Sequence, residues 1–128
     1  MPTIVDSSGW IEYFIDGPNA DCFAAAIENT DDLIVPAITL TEVYRWMLRE
    51  ATESDALAAV TAMKQGKVVP LDDQLSILAA EVSHRHKLPL ADGIIYTTAK
   101  HQDADLITQD ADMEGLPAVI YVRHPKRK

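Results

Sequence analysis

Five short apolar runs, set between polar turns and helical stretches, constrain this chain more than any other feature. They are Thr3-Ile4-Val5, Leu33-Ile34-Val35, Lys67 to Leu71, Ala104 to Ile107, and Pro117 to Val122. Each has the length of a buried strand and is bounded by turn or capping residues. Between the first four lie longer segments whose apolar residues recur at helical spacing. Strands alternating with helices predict an α/β domain with a mainly parallel central sheet and right-handed crossovers.

The helices are predicted from their stops and starts. Asp6-Ser7-Ser8-Gly9 offers N-caps for a short amphipathic helix, Trp10 to Ile15, stopped at Asp16-Gly17-Pro18. Ala20 to Glu28 is rich in alanine. Thr39 to Glu50 carries Leu40, Val43, Tyr44, Met47 and Leu48 on its apolar side, and Ser54 caps a helix to Gln65 that Gly66 closes. Asp72 or Asp73 caps the next, which runs to about His86. Pro89 then sits just ahead of a helix from Ala91 to about His101, where its missing N–H costs nothing, and Asp92 falls in that helix's first turn.

Acidic residues recur where such a fold keeps its sites, outside the carboxyl ends of the strands. Asp6 follows the first strand directly. Glu42 follows the second after a short loop, and Asp110 follows the fourth, with Asp112 two residues on. Asp92 follows no strand, and its helix would start at the edge where the next strand ends only across long loops. Spacing therefore leaves Asp92 unplaced. Each acid taken singly has a plain explanation, as an N-cap worth about 1 kcal/mol or a partner of a helix dipole. Together they would repel one another unless a cation lay among them, and hard oxygen ligands suit Mg2+ or Mn2+. The net charge of −9, from 20 acidic and 11 basic residues, fits such a pocket and argues against a broad grip on nucleic acid.

The residues carry a resemblance. Val5-Asp6-Ser7-Ser8, Thr41-Glu42, Leu88-Pro89-Leu90-Ala91-Asp92 and Leu106-Ile107-Thr108-Gln109-Asp110 resemble, in order, the four acidic motifs of the PIN domain, and most of all its VapC branch of toxin ribonucleases. The likeness spans nearly the whole chain. It implies a three-layer α/β/α PIN-like fold over residues 1–128, with Asp6, Glu42, Asp92 and Asp110 in one pocket. It also implies Mg2+-dependent cleavage of RNA phosphodiester bonds, with Mn2+ able to substitute. Asp6 and Asp92 would hold the ion, with Glu42 and Asp110 binding a second ion or orienting the attacking water. Ser7 and Thr108 are candidate donors that hold those carboxylates in place, and Asp112 is a candidate fifth acid with a capping or surface role as its alternative. A VapB-type antitoxin covering the pocket, a homodimer and a toxin–antitoxin hetero-oligomer follow from the same resemblance. Two positions depart from the family pattern: Met113 stands where an aromatic is frequent, and is read as a core substitution. Gly93 stands where alanine is common.

Other residues have plainer readings. His84 and His86 lie two apart on a helix and share no face, which speaks for solvated polar residues and against a zinc site there. His101 and His124 have no partner motif. Cys22, the one cysteine, is expected to be a packed core residue and can form no internal disulfide, which fits a reducing cytoplasm. Trp46 lies on the face of Glu42 and borders the pocket or an antitoxin groove, or packs into the core. Arg45, Arg49, Lys64, Lys67, Arg85, Lys87 and the tail Arg123, Lys126, Arg127 and Lys128 are the basic material for an RNA backbone. No apolar run is long enough for a membrane span, and the first residues lack a signal-peptide pattern, so no membrane or export is expected. Three rivals remain: a receiver-like signalling domain with Asp72 as phospho-acceptor, a phosphatase using Asp6, and an inactive PIN-fold binding scaffold.

Overall fold

The structure is a computed structural model that describes residues 1–125. In chain order its elements are β1 (Thr3–Val5), α1 (Ser7–Phe14), α2 (Ala20–Glu28), β2 (Leu33–Pro36), α3 (Ala37–Glu50), α4 (Glu53–Met63), β3 (Lys67–Val69), α5 (Asp73–His86), α6 (Leu90–His101), β4 (Asp105–Thr108) and β5 (Val119–Tyr121), with a 3-10 turn at Ala111–Met113. The strands form one sheet in the order β3-β2-β1-β4-β5, and every pairing is parallel.

Alternation along the strands sets the layers, because successive side chains leave opposite faces. Val5, Leu33, Val35 and Ile107 point to one face, where they pack with Trp10, Phe23, Val43 and Met63 from α1 to α4. Ile4, Ile34, Val69 and Leu106 point to the other, where they meet Leu75, Val82, Ile95 and Tyr96 from α5 and α6. Helices on both faces of a parallel sheet make three layers, and they explain why the strands are short continuous apolar runs. Met113 is fully buried in the second cluster, filling core space. Cys22 is exposed, which corrects its reading as core: Phe23 and Ile27 carry the inward face of α2, and Cys22 lies beside it.

Several boundaries shift for local reasons. Helix α1 opens at Ser7, immediately after Asp6, and helix α3 opens at Ala37 straight out of β2. Thr52 caps α4 in place of Ser54, accepting from the Asp55 N–H at 3.0 Å. Asp72 caps α5 by accepting from the Leu75 N–H at 2.8 Å, so the acid a receiver-like reading needs is occupied as a helix cap. Thr108 closes β4 where the sequence pattern opens a turn. Among the described residues no helix is long and apolar enough to cross a membrane. Lys126, Arg127 and Lys128 lie outside the described residues.

Strand β1 lies between β2 and β4, so the chain leaves it toward one side first and returns to the other later. That reversal opens a crevice at the carboxyl ends of β1 and β4. Helix α6 runs against the strands and turns into β4 through Gln102, Asp103 and Ala104, with Asp103 left-handed at φ 50°. A tight turn, and not a long loop, therefore brings the start of α6 to the edge where β4 ends. A crossover helix antiparallel to its strand begins where that strand finishes.

Candidate metal centre

Asp6, Asp92 and Asp110 converge in that crevice. Each offers a carboxylate oxygen, and these oxygens lie within 4.8 Å of one another. Asp6 leaves the end of β1, where its N–H continues the ladder by donating to the Ile107 carbonyl at 3.0 Å. Asp110 follows β4 and accepts from the Asp112 N–H at 3.0 Å, closing the 3-10 turn. Asp92 stands in the first turn of α6, after a corner made by left-handed Lys87 and by Pro89.

Hydroxyls fix the acids. The Thr108 hydroxyl donates to Asp6 Oδ2 at 2.8 Å, and its oxygen accepts from the Asp110 N–H at 2.9 Å. Ser8 donates to the same Asp6 oxygen at 3.0 Å. Ser7 donates to Glu42 Oε1 at 2.7 Å, tying the start of α1 to α3. Glu42 lines the same cleft but falls outside the set of three convergent oxygens. The cleft has a volume of about 410 Å³, and its far side is lined by Ile11, Arg45, Trp46 and Arg49. Asp112 is exposed, and its N–H donates to the capping carboxylate of Asp110. Lys64 lines a neighbouring groove between α3 and α4.

The electrostatics of the cluster are strained. Asp6 is 3% exposed, and burial pushes its carboxyl up to about 6, against the pull of the Thr108 and Ser8 hydroxyls. Asp92 is pushed up to about 8, first by burial and then by the charges of Asp110 and Asp6. Both acids ionise near 3.8 in an unfolded chain, so between pH 4 and 8 the native state holds more protons. The contribution of these two acids to the stability of the metal-free protein is therefore fully present below about pH 4 and is lost as pH rises to 8. A divalent cation compensates the like charges, and it must displace those protons, so binding tightens with pH. Thermal denaturation with and without Mg2+ or Mn2+ is expected to show a larger rise in Tm at pH 8 than at pH 5. Equal shifts at both values would contradict this cluster as the binding site. Thr108→Val removes a donor to Asp6 and the acceptor for the Asp110 amide, and is expected to weaken Mn2+ binding roughly tenfold by calorimetry.

Behind the acids lies a polar network that the sequence does not signal. Glu12 is buried and accepts from the Asn19 N–H at 2.8 Å, while His124 approaches its Oε2 at 3.3 Å. Asn19 donates to Gln109 Oε1 at 3.1 Å and to the Arg123 carbonyl at 3.1 Å. The side-chain amide of Gln109 donates to the Ser8 carbonyl at 3.4 Å. These residues stand far apart in sequence and carry no recurrent spacing, so only the fold assembles them. His124 thereby has a partner, where the sequence offered none.

Comparisons with known proteins bear on the family and the fold. A family model described as the PIN domain matches residues 3–118. No curated protein matches the chain significantly in sequence. Among solved structures, a toxin–antitoxin complex from Klebsiella pneumoniae superposes with a TM-score of 0.78 at 21% identity, covering 92% of this chain and 95% of that one. VapC20 of Mycobacterium tuberculosis, described as a sarcin–ricin loop cleaving toxin, gives 0.76 at 18% identity over 94% and 98%. DNA-bound VapBC from Salmonella typhimurium gives 0.72 at 19% identity over 95% and 97%. At these identities the likeness speaks for the fold.

Proposed function

The chain belongs to the PIN domain family, and from that premise we propose that it is a metal-dependent endoribonuclease, the VapC-type toxin of a type II toxin–antitoxin pair. The observation that carries this reading is the convergence of Asp6, Asp92 and Asp110 at the crevice between β1 and β4. Three hard oxygen donors, two of them reluctant to ionise unaided, fit Mg2+ or Mn2+ better than any soft metal.

Asp6, Asp92 and Asp110 would hold the ion. When bound, it neutralises charge on the phosphodiester and acidifies a water molecule. Thr108 and Ser8 hold the Asp6 carboxylate in one orientation, which fixes where the substrate phosphate is presented. Glu42, steadied by Ser7, orients the attacking water and accepts its proton. Asp112 acts on Asp110 through its amide and takes no direct part.

The toxin–antitoxin reading adds a VapB-type antitoxin that covers the cleft, a homodimer, a toxin–antitoxin hetero-oligomer and a cytoplasmic setting. Support comes from structural relatives described as toxin–antitoxin assemblies. Residues 1–128 act as a single domain on this reading. The test is direct: purified protein is incubated with total RNA and Mg2+, then with EDTA, and new 5′ ends are mapped. Discrete cuts that EDTA abolishes and Mn2+ restores are expected. Intact RNA under all metal conditions would overturn the nuclease reading and favour a PIN-fold binding scaffold.

A further inference from the structure

Helix α3 presents Glu42, Arg45, Trp46 and Arg49 to the cleft, at positions i, i+3, i+4 and i+7 of one helical face. This face changes sign along its length. Glu42 adjoins the aspartates, Arg45 and Trp46 stand about 5 Å further along the axis, and Arg49 about 10 Å further. In a chain of net charge −9 with only 11 basic residues, two arginines border the cleft where Asp6, Asp92 and Asp110 converge. They do not serve those acids. Among the described residues Arg45 makes no ion pair, and Arg49 uses only its Nε, on neighbouring Glu50 at 2.9 Å. Both side chains are exposed, and their planar guanidinium groups keep donors free for the anionic oxygens of a phosphate. Trp46 is half-buried: it packs against the core cluster of α1 and α3 and also lines the cleft.

We infer that Arg45, Trp46 and Arg49 form a substrate shelf that grips a single-stranded stretch of RNA beside the scissile phosphate. The inference rests on the nuclease reading and adds to it how the strand is held. Two guanidinium groups flanking an indole is the combination that binds single strands, with phosphates on the cations and an unstacked base on the ring. The acid cluster repels the substrate when no metal is present, and the shelf supplies attraction one and two helical turns away. Binding and bond cleavage are thus divided between the two ends of one helix face.

The test compares wild type with Arg45→Gln, Arg49→Gln and Trp46→Leu on a single-stranded oligoribonucleotide of about ten nucleotides and on a dinucleotide. Each arginine variant is expected to raise KM for the longer RNA about tenfold with kcat changed less than twofold. It should also lower the slope of log KM against log salt by about one. The preference for the longer over the shorter substrate, as a ratio of kcat/KM, should fall accordingly. Trp10 is fully buried, so quenching of tryptophan emission on RNA binding reports Trp46 and should vanish in Trp46→Leu. Mn2+ binding by calorimetry separates a local effect from a damaged centre, and it should match wild type in all three. Wild type that cleaves RNA, with variants that share its KM and salt slope, overturns the shelf and spares the nuclease reading. Variants with lowered kcat and unchanged KM overturn it as well. Wild type that neither cuts nor binds either RNA overturns both.

Discussion

Asp6→Asn and Asp92→Asn are each expected to lower RNA cleavage by about a thousandfold or more, because each would remove a charge from the proposed ion site. What makes the pair diagnostic is the accompanying change in stability. Asp6 is almost wholly buried and Asp92 lies among like charges, so each native carboxyl resists ionisation above its unfolded value of 3.8. An amide has no such penalty. At pH 8 without metal, both variants should therefore unfold at the wild-type temperature or above it. With Mg2+ or Mn2+ the order should reverse, since only wild type keeps a full set of ligands. Thermal melts and a cleavage assay on the same preparations check both halves. An Asp6→Asn or Asp92→Asn protein that cuts RNA at the wild-type rate would remove these residues from the centre.

The second large effect concerns Gly93, next to Asp92. On an exposed helix, Gly→Ala gains about 1 kcal/mol of helix propensity. Here a Cβ on Gly93 would run into the Ser83 side chain, with its Oγ and Cβ both in the way. Helices α5 and α6 meet at this pair, and Ser83 Oγ is buried there without a hydrogen-bond partner. Gly93→Ala is expected to destabilise by about 1–3 kcal/mol, as overpacking does, and to push the start of α6 and Asp92 out of register with Asp6. Weakened Mn2+ binding should accompany the lower stability. Ser83→Gly with Gly93→Ala should be more stable than the sum of the single changes, which urea unfolding of all four proteins measures. Strict additivity would mean that the two residues do not meet.

Much of the architecture was readable from residues alone. Ile4 and Val5, Ile34 and Val35, and Leu106 and Ile107 announce strands buried on both faces, and short polar stops separate them from the helices. Helix α2 emerges with its predicted ends, Ala20 and Glu28. Asp6 and Asp110 were legible as acids at strand ends. Asp92 was not, because its location depends on the direction of α6 and on the tight turn at Asp103, neither of which has a spacing rule in the sequence. Cys22 was misplaced because a small apolar residue on an alanine-rich helix leaves its inward face ambiguous. The reason for Gly93 lies in Ser83, ten residues away on another helix, and no local pattern points to it. The network of Glu12, Asn19, Gln109 and His124 is equally silent in sequence, since its members meet only after β4 is in place.

The position of β1 between β2 and β4 also sets a timetable. The acid cluster takes Asp6 from β1 and Asp110 from the far end of β4, so 103 residues separate them along the chain. Strand β1 can pair with β2 early in synthesis, but its other edge stays vacant until Asp105–Thr108 has been made. Domains generally fold as units during synthesis, and here the centre stays incomplete until β4 and Asp110 have been made. A nascent chain therefore carries its first acid for most of its synthesis without the others. The acids of the first and fourth strands can therefore share a cation only in the finished domain.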